Sequence, residues 1–129
     1  MSLRDYVGIP YEIRGTPPHS ADCYSLICYY AKQERGFVLP TYMYTVSDNY
    51  ERATQFIAEA EAQMGTRWRK VEKQPDAVVV FRVKGLPMHC GIMVNDWEFL
   101  HSIIGRNSSI ENIQDFYWRK RVTGFFRYD

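Results

Sequence analysis

Cys23 lies where an irregular segment of the chain gives way to a helical pattern. It directly follows Asp22, and the preceding residues 14–21 contain a glycine and two prolines. Beyond it, apolar residues recur at helical intervals, at Leu26, Ile27, Tyr30 and Ala31. A thiol at a helix N-terminus lies near the positive end of the helix dipole, which favours the thiolate, the nucleophilic form of cysteine. Cys23 is therefore a candidate nucleophile, and the alternative is a small apolar residue that packs in the core.

A nucleophilic cysteine needs a base, and His89 and His101 lie in neighbouring segments rich in strand-forming residues. Side chains on a strand alternate, so a hairpin with His89 opposite His101 requires a loop with an odd number of residues. We predict a three- or five-residue loop with Trp97 near its end. In that register His101 orients the imidazole of His89, which meets Cys23. Spacing alone leaves catalytic and structural roles for these residues equally open.

The composition is that of one globular domain, which we expect to span residues 1–129. Of the 129 residues, 46% are hydrophobic, and the formal net charge is +1. A nearly neutral chain is not expected to bind nucleic acid, since phosphate binding requires a basic excess. No apolar stretch approaches the ~18 residues of a membrane span, and the N-terminus lacks the apolar core of a signal peptide. We therefore expect no membrane insertion, and synthesis in a reducing cytosol without a disulfide framework.

The first half of the chain predicts two helices. The first is capped at Ser20 or Asp22 and runs to about Arg35, before a glycine that stops it. The second is expected from about Asp48 to Met64, where apolar residues form one stripe.

The second half of the chain predicts a series of short strands. Segments rich in Val, Ile and aromatic residues indicate strands within residues 67–72, 77–83, 88–94, 98–103 and 121–128. Residues 108–118 are expected to hold one short helical turn. Helices followed by strands predict an α+β domain in which N-terminal helices pack on an antiparallel β-sheet.

A series of short motifs occurs in an order that resembles one protein family. The motifs are Pro10–Tyr11, Asp22–Cys23, Leu39–Pro40, His89 followed by Gly91 and Ile92, and His101. Together they resemble the NlpC-type cell-wall cysteine peptidases over nearly the whole chain. Residues 21–40 and 118–128 further resemble the tail-assembly peptidases of lambda-like phages, the K-type proteins.

This resemblance implies a papain-like α+β fold and a cysteine peptidase that cleaves peptide or isopeptide bonds in peptidoglycan stem peptides. By position, Cys23 corresponds to the nucleophile, His89 to the general base and acid, and His101 to the polar group that orients His89. Tyr11 corresponds to a tyrosine whose hydroxyl helps to stabilise the oxyanion. The implied mechanism is acyl transfer through a thioester, and it requires no cofactor or metal ion.

Three further residues are candidates for contact with the substrate. Asp22 is expected to cap the helix, with a substrate amine as an alternative partner. Tyr24 stands beside the nucleophile, where many family members have a small residue, and is expected to narrow the substrate pocket. Trp97 is first of all a packing residue, with the rim of the cleft as its alternative position. The other thiols are expected in the core and the third histidine at the surface, at Cys28, Cys90 and His19.

The resemblance to phage proteins implies a component of a phage or prophage tail. Such a protein is made in the bacterial cytoplasm, travels on the virion tail with tail-tip proteins as partners, and acts at the cell wall. One alternative is a non-catalytic structural or assembly module of the tail tip.

A further alternative is a metal site. Its candidate ligands are Cys23, Cys28, His89, Cys90 and His101. The two cysteines in the first helix lack the spacing of zinc ligands, and His89 and Cys90 alternate on one strand, so the pattern fits this hypothesis poorly.

Overall fold

The computed structural model describes residues 2–40, 67–83 and 86–128, so the second predicted helix, at 48–64, lies outside the described residues. Its helical segments are a 3-10 turn at Leu3–Tyr6, helix α1 at Cys23–Tyr30, a π-helical turn at Ala31–Arg35 and a short helix, α2, at Phe116–Arg119. None of the helices in the described ranges is long and apolar enough to cross a membrane.

Helix α1 begins at Cys23 because Asp22 caps it. Oδ1 of Asp22 accepts a hydrogen bond from the backbone N–H of Ser25 (2.8 Å), and Oγ of Ser25 accepts one from the N–H of Asp22 (2.9 Å). The helical segment ends at Gly36, whose φ of 73° is the left-handed conformation that suits glycine. Of the two predicted caps, Ser20 and Asp22, the structure has Asp22, and the predicted end near Arg35 is confirmed.

The strands form one antiparallel sheet. They are β1 (Trp68–Val71), β2 (Val78–Val83), β3 (Leu86–Met93), β4 (Glu98–His101), β5 (Ser109–Asn112) and β6 (Val122–Tyr128). Their order across the six-stranded sheet is β1-β6-β2-β3-β4-β5. Helix α1 packs on β3 and β4. The predicted α+β class with an antiparallel sheet is confirmed.

Strand β5 is a difference from the prediction, which gave residues 108–118 a helical turn alone. The turn exists as α2, and β5 precedes it. Of the four residues of β5, Ile110 alone is a strong strand former. The strand forms because β4 pairs with it, from Glu98 opposite Asn112 to His101 opposite Ser109. Pairing with a neighbour, not local propensity, therefore decides this element.

The two faces of the sheet are both buried. The face that receives α1 contributes alternate side chains of β2 and β3 to the core, at Val78, Val80, Cys90 and Ile92. The intervening positions face the other way and pack in a second core with Phe99 of β4 and Trp118 of α2. These positions are Val79, Phe81 and Met93. A buried residue of β2 or β3 therefore belongs to one core if its number is even and to the other if its number is odd.

The hairpin between β3 and β4 confirms the predicted loop length but corrects the predicted register. The N–H of Val94 donates to the carbonyl of Glu98 (2.9 Å), which closes a three-residue loop at Asn95–Trp97. Met93 pairs with Phe99, and this register continued along the strands puts Gly91 opposite His101. His89 lies two residues further along the same face, so the prediction that it lies directly opposite His101 is wrong by two residues.

Gly91 explains why this register is favoured. A Cβ at this position would lie 2.9 Å from the carbonyl oxygen of Leu100 and 3.2 Å from Cβ of His101. Real Cβ atoms do not approach a backbone oxygen so closely, so only glycine allows β3 and β4 to lie together at this point.

We expect Gly91→Ala to lower the free energy of unfolding by about 1–3 kcal/mol, the usual cost of overpacking. Gly124→Ala in β6 is the matched control, because its Cβ would meet side-chain atoms of Phe126 (3.1 Å) and Lys70 (3.5 Å) and no backbone oxygen. Chemical denaturation measures both, and equal losses would contradict the requirement for glycine at 91.

Candidate active site

The thiol of Cys23 lies at the first position of α1, against strand β3. Cys23 is buried, and its Sγ is 3.9 Å from Sγ of Cys90. The segment that leads into α1 is held on the sheet because Oγ of Ser102 donates to the carbonyl of Ala21 (3.1 Å). The position of the thiol is thus set by its contact with β3 and by the hydrogen bond from the residue that follows β4.

Tyr11 lies in a segment that pairs with the residues just before Cys23. Tyr11 and Ala21 form an isolated parallel bridge. The N–H of Ala21 donates to the carbonyl of Pro10 (2.9 Å), and the N–H of Glu12 donates to the carbonyl of Ala21 (3.1 Å). The structure therefore brings the backbone of Tyr11 beside the N-terminal approach to α1.

His89 and His101 are joined by a buried hydrogen bond. Nε2 of His89 and Nδ1 of His101 are 2.8 Å apart. Nε2 of His101 is 2.5 Å from Oε2 of Glu111 in β5, and Oε1 of Glu111 accepts a hydrogen bond from Nε1 of Trp118 (3.0 Å). These four side chains form one continuous chain of hydrogen bonds, which we call the polar row.

Aromatic rings enclose the polar row. The ring of Phe81 stacks on that of His89 (centroids 5.6 Å apart), and Trp118 lies 5.8 Å from His89 and 5.1 Å from His101. Phe99 lies 4.8 Å from His101. Both imidazoles are consequently shielded from water.

Burial lowers the pKa of both histidines. It lowers the pKa of His89 to about 3, and the neighbouring charge of a protonated His101 acts in the same direction. Burial also lowers the pKa of His101, although Glu111 opposes this shift and Arg106 adds to it. Both rings are therefore neutral at pH 7, and each carries one proton.

Cys23 and His89 lie on opposite faces of β3. Cys90, the residue in contact with Cys23, points into the core beneath α1, and its predicted place in the core is confirmed. The ring of His89 packs on the other face, against Phe81 and Trp118. Within the described part of the chain, no hydrogen bond joins His89 to Cys23. The predicted pairing of the two histidines is thus present, whereas the side chain next to the thiol is Cys90.

The three candidate substrate contacts differ in how exposed they are. Asp22 is fully buried, and its oxygens accept hydrogen bonds from the N–H groups of Ser25 and Arg14. Tyr24 is 0% exposed and its hydroxyl donates to the carbonyl of Pro40, so it does not line an open pocket. Trp97 is exposed, but it lies at the far end of β4 from His101, beneath the ammonium of a lysine.

The structure also places the two remaining candidate residues, Cys28 and His19. Cys28 is half-buried against the core beneath α1, and His19 is exposed in its loop as expected. Among residues 2–40, 67–83 and 86–128, no group of three or more His, Cys, Asp or Glu side chains is placed to hold a metal ion. The thiol pair and the imidazole pair occupy different faces of the sheet.

Glu111 and Trp118 are the members of the polar row that the sequence did not identify. Glu111 lies two residues beyond Ser109, the partner of His101 in the ladder, and so shares the face of His101. The same diagonal step relates His101 to His89. Recognition of β5 as a strand would have placed a carboxylate on this face, but its sequence is too polar for that recognition.

The buried histidines make the free energy of unfolding depend on pH. An unfolded histidine binds a proton below about pH 6.5, whereas folded His89 stays neutral down to about pH 3. Between these values the unfolded state binds more protons, so the free energy of unfolding falls as the pH falls. We expect His89 alone to lower it by about 2 kcal/mol between pH 7 and pH 5, as measured by urea unfolding.

Two variants control this measurement. His89→Gln keeps a donor for His101 but does not titrate, so it should lose this part of the pH dependence. His19→Gln removes an exposed histidine and should keep the full dependence. A native pH dependence in His89→Gln would show that the ring is not buried as a neutral group.

The NlpC/P60 family pattern matches residues 8–127. No curated protein sequence matches the chain. A solved structure of an NLP/P60-family protein similar to lipoprotein, from Staphylococcus aureus subsp. aureus Mu50, matches with a TM-score of 0.62 and 21% identity over 95% of this chain. This chain spans only 37% of the S. aureus chain.

A second solved structure is the NlpC/p60 domain of the peptidoglycan hydrolase SagA. It matches with a TM-score of 0.56 and 16% identity, over 98% of this chain and 91% of that domain. At such identities, the two structures establish a shared fold. Because the family pattern extends from residue 8 to residue 127, nearly the whole sequence, the chain belongs to the NlpC/P60 family.

Proposed function

We propose that the protein is a cysteine peptidase that cleaves peptide or isopeptide bonds in peptidoglycan stem peptides. The observation that carries this proposal is the position of Cys23. Its thiol is at the first residue of α1 and contacts Cys90, the chain neighbour of a histidine that is hydrogen-bonded to a second histidine. Membership of the NlpC/P60 family and the likeness to the domain of a peptidoglycan hydrolase support the same activity.

In the proposed mechanism, Sγ of Cys23 attacks the scissile carbonyl while its proton passes to His89. The helix N-terminus favours the thiolate. The backbone N–H of Cys23 and the hydroxyl of Tyr11 face the negative charge that develops on the carbonyl oxygen. Protonated His89 then gives its proton to the departing amine, which leaves a thioester. Water attacks the thioester, again with His89 as base, and releases the acid and the thiol.

This mechanism requires the imidazole of His89 to reach the thiol past the Cys90 position. His89 lies opposite Phe81, where the ladder between β2 and β3 becomes irregular before Arg82 pairs with Pro87. Irregularities of this kind re-aim side chains and are common beside active sites. Nε2 of His89 is bound to His101, so Nδ1 is the nitrogen that would receive the proton.

The structure changes which residues we propose as contacts of the substrate. Tyr24 and Asp22 are buried, and Asp22 holds the start of α1 as its cap. The segment of Tyr11, which pairs with the approach to α1, is the described element best placed to contact a bound peptide. No cofactor or metal ion takes part in the proposed steps.

We place this activity in a phage or prophage tail because of the resemblance of residues 21–40 and 118–128 to tail-assembly peptidases. Tail-tip proteins would then be its partners, and the cell wall its site of action. A non-catalytic assembly module is the second candidate function, and one observation favours it. Phe116 and Tyr117 in α2 expose large aromatic surfaces, 67% and 49% respectively, which would suit a contact with another tail protein.

Cys23→Ala should abolish cleavage of purified, defined peptidoglycan fragments, with a loss of at least roughly a thousandfold, because it removes the thiol on which the proposed thioester forms. Cys90→Ala is the matched control. It removes the other thiol of the same 3.9 Å contact and should retain activity within a few-fold of the native rate. Mass spectrometry of the products measures both and identifies the bond that is cut.

Two outcomes would contradict the peptidase. If Cys23→Ala cleaves like the native protein, this thiol is not the nucleophile. If the native protein does not cleave, and an alkylating probe labels Cys23 no faster than an ordinary thiol, the assembly module becomes the leading function. Circular dichroism of each variant establishes that a loss of activity is not a loss of fold.

A further inference from the structure

We propose that Glu111, held in place by Trp118, is a positioning residue that fixes the tautomers of His101 and His89. Glu111 touches neither the thiol nor the proposed substrate, and it acts through His101. Its catalytic consequence rests on the proposed function, but the tautomers themselves are a property of the folded protein in any case.

Trp118 fixes the direction of the first hydrogen bond in the polar row. An indole N–H can only donate, so Oε1 of Glu111 must accept the bond from Nε1 of Trp118 (3.0 Å). This bond orients the carboxylate and presents Oε2 to Nε2 of His101. An ionised carboxylate can only accept, so Nε2 of His101 must carry a hydrogen.

The same donor and acceptor rules determine the tautomer of His89. Each ring is neutral at pH 7 and carries one proton, so Nδ1 of His101 is an acceptor when Nε2 is protonated. Nε2 of His89, 2.8 Å away, must then donate to it. The lone pair of His89 is consequently on Nδ1, the nitrogen that the proposed mechanism uses as base.

Nδ1 of His89 takes no part in the polar row. It has no hydrogen-bond partner among the described residues. The row therefore leaves its one unused lone pair on this nitrogen.

Neighbouring groups compete poorly with Glu111 for His101. Oγ of Ser109 is 3.5 Å from Nε2 of His101, too long for a strong hydrogen bond, whereas Glu111 is 1.0 Å closer at 2.5 Å. Arg106 disfavours the protonated form of His101. The carboxylate of Glu111 is thus the group that sets the proton on His101.

Glu111→Gln tests the proposal with almost no change of shape. The indole N–H of Trp118 would hold the carbonyl oxygen of the new amide, so its NH₂ group would face His101 and donate to Nε2. The other two hydrogen bonds in the row, at His101 and at His89, would then reverse, and His89 would carry its proton on Nδ1. We expect the imidazole ¹⁵N spectrum to change from the Nε2–H to the Nδ1–H pattern for both histidines.

The same variant should lose activity if the proposed function is correct. A base without its lone pair on Nδ1 cannot take the proton of the thiol, so kcat/KM should fall by roughly tenfold to a thousandfold. Glu98→Gln is the matched control. Glu98 lies on β4, is exposed and accepts a hydrogen bond from Asn95, so this variant should change neither the ¹⁵N pattern nor the rate.

The outcomes separate this inference from the peptidase proposal. An Nε2–H pattern for His89 that persists in Glu111→Gln overturns the inference, whatever the activity. An Nδ1–H pattern for His89 in the native protein also overturns it, and that measurement does not require the variant to fold. Reversed tautomers with no hydrolysis by either protein support the inference and contradict the peptidase. Reversed tautomers with native activity show that His89 is not the base and overturn its catalytic consequence.

Discussion

Strands β3 and β4 lie so close together at Gly91 that no side chain fits between them. A Cβ there would be 3.2 Å from Cβ of His101 and nearer still to a backbone oxygen. Because this position is empty, the ring of His101 meets His89 on the diagonal, with the two nitrogens 2.8 Å apart. A second diagonal step leads from His101 to Glu111 on β5. The absence of a side chain at Gly91 thereby allows His89, His101 and Glu111 to line up across three strands.

Burial determines how this polar row is charged. Phe81, Phe99 and Trp118 keep water from the two imidazoles, so each nitrogen that faces the core must find its partner within the row. A charge on either ring would lose its hydration, which is why the histidines are neutral at pH 7. The anionic group is Glu111, whose side chain is 28% exposed and therefore remains partly hydrated. The charge lies at the end of the row where its desolvation costs least.

The candidate nucleophile is supported by a different set of contacts. The cap at Asp22, the bridge between Tyr11 and Ala21, and the bond from Ser102 to Ala21 together hold the start of α1. None of these contacts involves the polar row. The thiol of Cys23 and the imidazole of His89 are therefore positioned separately, by packing on opposite faces of β3. The proposed proton transfer depends on how close the two groups come beside Cys90.

The sequence by itself determined the limits of the helical segment that begins with α1, the antiparallel class of the sheet, a loop with an odd number of residues before β4 and the alternation of His89 with Cys90. These features depend on local signals: a capping aspartate, a glycine that ends a helix, and the period of a strand. Only the tertiary structure decided that Cys90, and not His89, lies beneath α1. Both faces of β3 are buried, so hydrophobic patterning does not distinguish them. The register at Gly91 and the existence of β5 likewise depend on which strands approach each other, and no short stretch of sequence contains that information.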